Sequence, residues 1–217
     1  MQEWIQQYWE KRLEKLKAAL EMNNFNVCIV DSAAAAKDTV VDKILPKLGA
    51  KSISFGGSMT VVGCGLYSHF KDNDQYTVID TYDRSVPKNE MIERRRQSLL
   101  VDLFLCGTNA VTESGQLVNL DMVGNRVAGI TFGPKHVIIL LGRNKLTADL
   151  EEAMVRIKDY AAPVNAMRLK MKTPCAKTGV CEDCKSPMRI CNTWTITEKS
   201  FSKGRVKVVL INEDLGF

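Results

Sequence analysis

No apolar run among the 217 residues approaches the roughly 20 that a membrane-crossing helix needs; Val137 to Leu141 is among the longest. The opening residues carry Glu3, Glu10, Lys11, Arg12, Glu14, Lys15, Lys17 and Glu21, where a secretory leader would be apolar. A cytoplasmic protein without membrane insertion is therefore expected. Histidine is scarce as well: His69 and His136 lack a carboxylate motif or ligand spacing, so structural roles are expected for both. There is no G-x-G-x-x-G, and no Gly-Lys-Ser/Thr follows Gly56-Gly57-Ser58, so dinucleotide and P-loop fingerprints are missing. Nor is there a large excess of one charge. Thirty Lys+Arg against 25 Asp+Glu gives +5 in interspersed positions, too little to argue for a nucleic-acid partner. Internal repeats and low-complexity tracts are lacking too.

What is present is a globular composition, with 45% hydrophobic and 25% charged residues. Trp4, Ile5, Tyr8, Leu13, Leu16 and Leu20 recur at helical steps among charges, which predicts an amphipathic opening helix packing one stripe. Strand and helix patterns then alternate. Strands are predicted over 25–30, 51–55, 76–79 and 102–106, with helical segments over 33–48, 58–70 and 87–100 between them. Alternation around Gly115 predicts a hairpin over 109–121 that brings mixed pairing into the sheet. Further strands are predicted over 127–131 and 136–141, the second apolar enough to lie centrally with both faces covered. A helix capped by Thr147 and ended by Pro163 follows, then a segment of different composition and a closing strand over 205–211. The expected fold is α/β, a Rossmann-like, mostly parallel sheet with helices on both faces. It divides into an α/β domain over 1–165 and a small cysteine-rich C-terminal lobe over 166–217, packed on the same domain and returning a strand to the sheet.

Four regions can carry chemistry. Gly56-Gly57-Ser58 turns a strand into a helix, where backbone N–H groups attract an anion; Ser58 as a plain N-cap is the alternative. Glu113 and Ser114, beside Gly115, follow the strand ending at Cys106, and a carboxylate there can be a nucleophile or only a solvated turn residue. Asn119, Asp121, Asn125 and Arg126 form a polar group in which Arg126 suits bidentate contact with a carboxylate or phosphate. The run Arg94-Arg95-Arg96 is expected to be a solvated face.

The fourth region is the sharpest. Cys175, Cys181, Cys184 and Cys191 fall within one Gly- and Pro-punctuated stretch, and four thiolates can surround a tetrahedral ion or a cubane cluster. Only Cys181 and Cys184 form the close pair that structural zinc usually draws on twice. That asymmetry favours a [4Fe-4S] iron–sulfur cluster over zinc, with disulfide or redox switching as a third outcome. Six basic residues against two acidic ones between Ala166 and Cys191 would lower thiol pKa and balance an anionic centre.

Several motifs in order carry a resemblance: Gly56-Gly57-Ser58-x-Thr60, Asp102-x-Phe104, Asn109-Ala110-Val111-Thr112-Glu113-Ser114-Gly115, Asn125-Arg126-Val127, Phe132-Gly133-Pro134, and Lys145 before a helix. Over roughly residues 1–170 the chain resembles the LUD-domain family of lactate-utilisation proteins. The resemblance implies a core of the NagB/RpiA/CoA-transferase-like superfamily, an association with oxidation of lactate to pyruvate, and iron–sulfur clusters in some members. It also places Thr60 and Lys145 with the ligand-binding positions Gly56, Gly57, Ser58, Ser114, Gly115, Asn119, Asn125 and Arg126. Single-domain members have no well-defined reaction of their own. Glu113-Ser114-Gly115-Gln116 matches the Glu-Thr-Gly-Thr of many members and is loosely similar to the glutamate turn of CoA transferases. The segment from Cys175 to Cys191, with Arg189 and the closing Asn212 to Phe217, suggests a cysteine-bearing subgroup.

The leading expectation is thus a redox or electron-transfer component that binds a small anionic metabolite and a four-cysteine metal centre, and works with a redox partner protein or as a homo-oligomer. The alternatives are a CoA- or acyl-transferase-like enzyme with Glu113 as nucleophile and structural zinc, and a non-catalytic redox-sensing binding module.

Overall fold

The computed structural model describes residues 3–217. In chain order the strands are β1 (Asn26–Val30), β2 (Ser52–Phe55), β3 (Thr77–Ile79), β4 (Leu103–Gly107), β5 (Ala110–Thr112), β6 (Leu117–Asp121), β7 (His136–Gly142), β8 (Leu146–Thr147), β9 (Thr193–Thr197) and β10 (Val206–Ile211). The α-helices are α1 (Glu3–Met22), α2 (Ala33–Asp38), α3 (Met59–Gly63), α4 (Leu66–Phe70), α5 (Lys88–Gln97), α6 (Asn125–Thr131), α7 (Leu150–Arg156), α8 (Ala162–Arg168) and α9 (Pro174–Thr178). Among the described residues no helix is long and apolar enough to cross a membrane.

Six strands pair in the order β1-β10-β7-β4-β2-β3, every pairing parallel. The period-two rule then sorts their side chains. Val137, Ile139 and Leu141 of β7 join Phe104, Val208, Leu210 and the buried stripe Leu13, Leu16 and Leu20 of α1 on one face. Ile138 and Leu140 join Phe55, Leu105, Val209 and residues of α2, α3 and α4 on the other. Burial of both faces is why Val137 to Leu141 of β7 are all apolar. The apolar stripe of α1 packs only along its second half, and Trp4, Ile5 and Tyr8 at its start are exposed.

Several expectations are corrected. The mixed pairing lies in a separate four-stranded sheet, β8-β5-β6-β9, because the hairpin β5–β6 turns away from the main sheet and pairs with β9. Residues 127–131 are helical, not extended: Gly124 turns the chain left-handed at φ 98°, and α6 then lays Val127 and Ile130 inward and Gly129 against Phe104. Tertiary packing overrides the strand preference of those branched residues. Asp149, not Thr147, caps α7 by accepting the Glu152 N–H at 2.9 Å. Pro163 does not end that helix. A π-helical turn over 157–161 carries the chain into α8, where the proline sits in the first turn. Of the segment over 166–217, β10 lies in the main sheet between β1 and β7, and β9 closes the second sheet.

Candidate functional site

Open parallel sheets place ligands beyond the carboxyl ends of their strands. Here Gly57 and Ser58 follow β2, and Gly107, Thr108 and Asn109 end or follow β4; together they form one wall of a crevice of about 190 Å³. The loop from Asp121 to Asn125, Arg126, Lys145, Arg95 of α5, Asn165 and Arg168 of α8, and Phe217 complete it. Four of these residues are basic, and among the described lining residues the acidic side chain, Asp121, is already ion-paired to Arg126. The crevice therefore favours an anionic occupant.

The Gly56-Gly57-Ser58 turn commits much of its polarity to itself. The Gly56 N–H donates to the Leu105 carbonyl at 2.9 Å, the Ser58 N–H to the Tyr82 hydroxyl at 2.7 Å, and the Ser58 hydroxyl accepts from Val61 as an N-cap. The two glycines differ in what they permit. A Cβ on Gly56 would lie 2.9 Å from the Phe104 ring and from Arg126 Cγ, whereas one on Gly57 would meet nothing within 4 Å. Gly56→Ala is expected to destabilise by about 1–3 kcal/mol through overpacking. Gly57→Ala should melt like the unmodified protein while altering affinity for crevice ligands, and thermal unfolding beside a binding titration separates the two effects.

Arg126 is buried and uses its whole guanidinium internally. Nε donates to Asp121 at 3.1 Å, one terminal nitrogen to the Gly107 carbonyl and the Asn119 amide oxygen, and the other to Asn109 at 2.8 Å and the Leu120 carbonyl at 3.2 Å. It ties the end of β4 to β6. Asn119 is fully buried behind it, and its Nδ2 has no acceptor among the described residues.

Lys145 lines the crevice at only 3% exposure. Its amine donates to Thr60 Oγ1 at 3.0 Å and to the Thr108 carbonyl at 3.1 Å. Burial, with Arg156 and Arg126 nearby, lowers its pKa to about 7. The closing segment folds over this point: Thr60 donates to the Leu215 carbonyl, Asn144 to the Gly216 carbonyl, and Arg143 to Asp214 and Asn212.

Glu113, Ser114 and Gly115 stand elsewhere, at the hairpin turn against the end of α1. Glu113 pairs with Arg12 at 2.8 Å and Lys15 at 3.0 Å, and these contacts hold its carboxyl below the usual range. Gly115 has φ 83°, and a Cβ there would press on the α1 backbone at 3.0 Å, so this turn docks a helix. Glu113→Gln is expected to leave crevice binding unchanged, as a ligand titration would show. Gly57, Ser58, Asn125, Arg126 and Lys145 thus meet at the crevice; Gly56, Thr60 and Asn119 lie behind them; Glu113, Ser114 and Gly115 do not join them. Arg95, Arg168 and Phe217 also line it, and no motif in the sequence marks them. Arg95 lies in a run that reads as solvated, and Arg168 enters only because α8 continues past Pro163.

All four clustered cysteines line a second, small cavity of about 20 Å³, with Ala162, Pro163, Thr173 and Arg189. None is in a disulfide. Arg189 donates to the carbonyls of Cys184 at 2.6 Å and Cys191 at 2.8 Å and pairs with Asp183, which also holds Lys158 at 2.6 Å. As the thiols stand, no three His, Cys, Asp or Glu side chains among the described residues are gathered closely enough to hold an ion. Helix α8 separates this cavity from the crevice: Ala162 and Pro163 face the cysteines, Asn165 and Arg168 face the crevice, and Ile190 lines both.

Fold and crevice together define an α/β protein with a parallel central sheet and a basic site at its carboxyl edge. Residues 13–211 match the model of the LUD domain, and the chain belongs to that family; the match runs through the cysteine segment. A DUF162 family protein from Deinococcus radiodurans, known from its crystal structure, is similar over 94% of this chain and 97% of its own, at 11% sequence identity and a TM-score of 0.45. No curated protein matches the chain in sequence.

Proposed function

We propose that this lactate-utilisation-like LUD protein is a cytoplasmic redox component that binds a small anionic metabolite in the basic crevice and a metal centre at Cys175, Cys181, Cys184 and Cys191. The observation that carries the reading is the shared wall: the four-cysteine cavity and the crevice lie on opposite sides of α8. The donor set fits such a centre in kind, since four thiols without disulfides suit iron–sulfur or zinc. Lys158 and Arg189 supply positive charge around it. Because the thiols are not yet gathered around one point, binding would draw the loop closed, as is usual where metal affinity and local folding are linked. A bound [4Fe-4S] cluster would supply one-electron transfer, and a redox partner protein or a second copy of the chain would receive the electron. The chain's own part is to hold the anion with Arg95 and Arg168 and to keep the two sites one helix apart.

Anaerobic purification followed by iron, zinc and acid-labile sulfide analysis tests the centre. Iron with sulfide is expected. Zinc without sulfide would replace the cluster by a structural ion, and a protein without metal would overturn the centre altogether. For the crevice, Arg168→Gln should weaken binding of a small carboxylate roughly tenfold, about 1.4 kcal/mol, with an unchanged melting temperature.

A further inference from the structure

We infer that Lys145 is a nucleophilic amine that forms an imine with the carbonyl group of a small 2-oxo acid held in the crevice. The inference rests on the crevice reading above and names the chemical class of its occupant. A buried ammonium has three N–H groups to satisfy and needs a counter-charge, and neither condition is met here. The Lys145 amine has two oxygen acceptors, Thr60 Oγ1 at 3.0 Å and the Thr108 carbonyl at 3.1 Å. Its electrostatic neighbours include the cations Arg156 and Arg126 and the thiols of Cys64 and Cys106, and no carboxylate among the described residues pairs with it. Those thiols are themselves pushed up to about 12 by burial, so they stay neutral and provide no counter-ion at ordinary pH. A neutral amine suits this pocket: two N–H groups meet two acceptors and the nitrogen lone pair is left over.

On one side the amine is closed in. Gly216 lies against it at φ 71°, where a Cβ would come within 3.2 Å of Nζ and 2.5 Å of Thr60 Oγ1. The crevice supplies the approach, with Arg168 and Arg95 in its wall for a carboxylate. A lone pair needs an electrophilic carbon and the arginines need an anion; a carbonyl next to a carboxylate provides both in a molecule small enough for about 190 Å³.

The step balances without a redox partner. The Nζ lone pair attacks the carbonyl carbon, the C=O π electrons move to oxygen, and that oxygen takes up the proton released from nitrogen, with the Thr60 hydroxyl in place to relay it. The resulting carbinolamine loses its hydroxyl with a proton as water, leaving a carbon–nitrogen double bond. Amine and carbonyl compound thus give imine and water.

The test is borohydride trapping with pyruvate and with glyoxylate, peptide mapping of the adduct, and a parallel equilibrium titration of both acids. At pH 7 about half of an amine with a pKa near 7 is neutral, against roughly one part in a thousand for an ordinary lysine. Trapping at Lys145 is therefore expected on the order of a hundredfold faster than at surface lysines, and to vanish in Lys145→Met; the melting curve of that variant verifies its fold. Thr60→Val should slow trapping while leaving binding intact. If the acids bind but the adduct is missing, or is spread over surface lysines and persists in Lys145→Met, the imine is wrong and the crevice reading stands. If neither acid binds nor is trapped, both fall.

Discussion

Arg126→Met is expected to cost about 3–5 kcal/mol of stability, read as a lowered midpoint in chemical denaturation. Set against the 5–15 kcal/mol typical of a whole domain, that loss approaches unfolding. The size follows from what the side chain leaves behind. Its five N–H groups serve the Asp121 carboxylate, the Gly107 and Leu120 carbonyls and the Asn109 and Asn119 amide oxygens. Methionine fills much of the volume and donates to none of them, so a carboxylate and several buried acceptors each lose a donor together. Lysine should not rescue the variant, because one ammonium cannot span acceptors arranged for a planar fork. Since Gly107, Asn109 and Asp121 also line the crevice, any folded Arg126→Met protein should have lost its binding site too. The contrast with Arg168→Gln is diagnostic: one arginine builds the crevice wall and the other faces its occupant. A melting curve for Arg126→Met superimposed on that of the unmodified protein would refute this assignment.

How far these features were legible in the sequence depends on whether they are set by local pattern or by packing. Five consecutive apolar residues, Val137 to Leu141, announce a strand buried on both faces, and β7 lies between β10 and β4. The Gly56-Gly57-Ser58 turn and the end of β4 mark the carboxyl edge where the crevice opens. Cysteine spacing alone picks out the four residues that share the second cavity. What local pattern could not supply was the partner of each element. Val127, Ile130 and Thr131 are branched and favour extended structure, but Arg126 can reach its five acceptors only as the chain turns into α6 after Gly124. Glu113 stands beside Gly115 in a motif that suggests chemistry, yet Arg12 and Lys15 of α1, nearly a hundred residues away in sequence, claim its carboxylate. Arg95 and Arg168 carry no motif, and they meet only because α5 and α8 converge on the same crevice.

The second large effect concerns Lys145 and its sign follows from linkage. The unfolded chain holds this proton up to the ordinary lysine value of about 10.4, whereas the folded protein releases it near 7. Below pH 7 the amine is protonated in both states, and the full cost of burying a charge, on the order of 4 kcal/mol, opposes folding. Between about 7 and 10 the unfolded state binds a proton that the folded state has lost, so stability from this group rises with pH by up to about 1.4 kcal/mol per unit. Lys145→Met removes the titration but leaves every other group in place. The stability of Lys145→Met minus that of the unmodified protein should therefore fall steadily from pH 7 to pH 10, by on the order of 3–4 kcal/mol in total. At the alkaline end the methionine variant should be the weaker one, because Thr60 Oγ1 and the Thr108 carbonyl lose their donor while the natural amine pays no charge penalty. Paired denaturation curves at half-unit pH steps measure this difference, and cysteine and tyrosine titrations common to both proteins cancel. Parallel pH profiles would mean that Lys145 stays charged when buried, and the lone pair on which imine formation depends would then be missing at neutral pH.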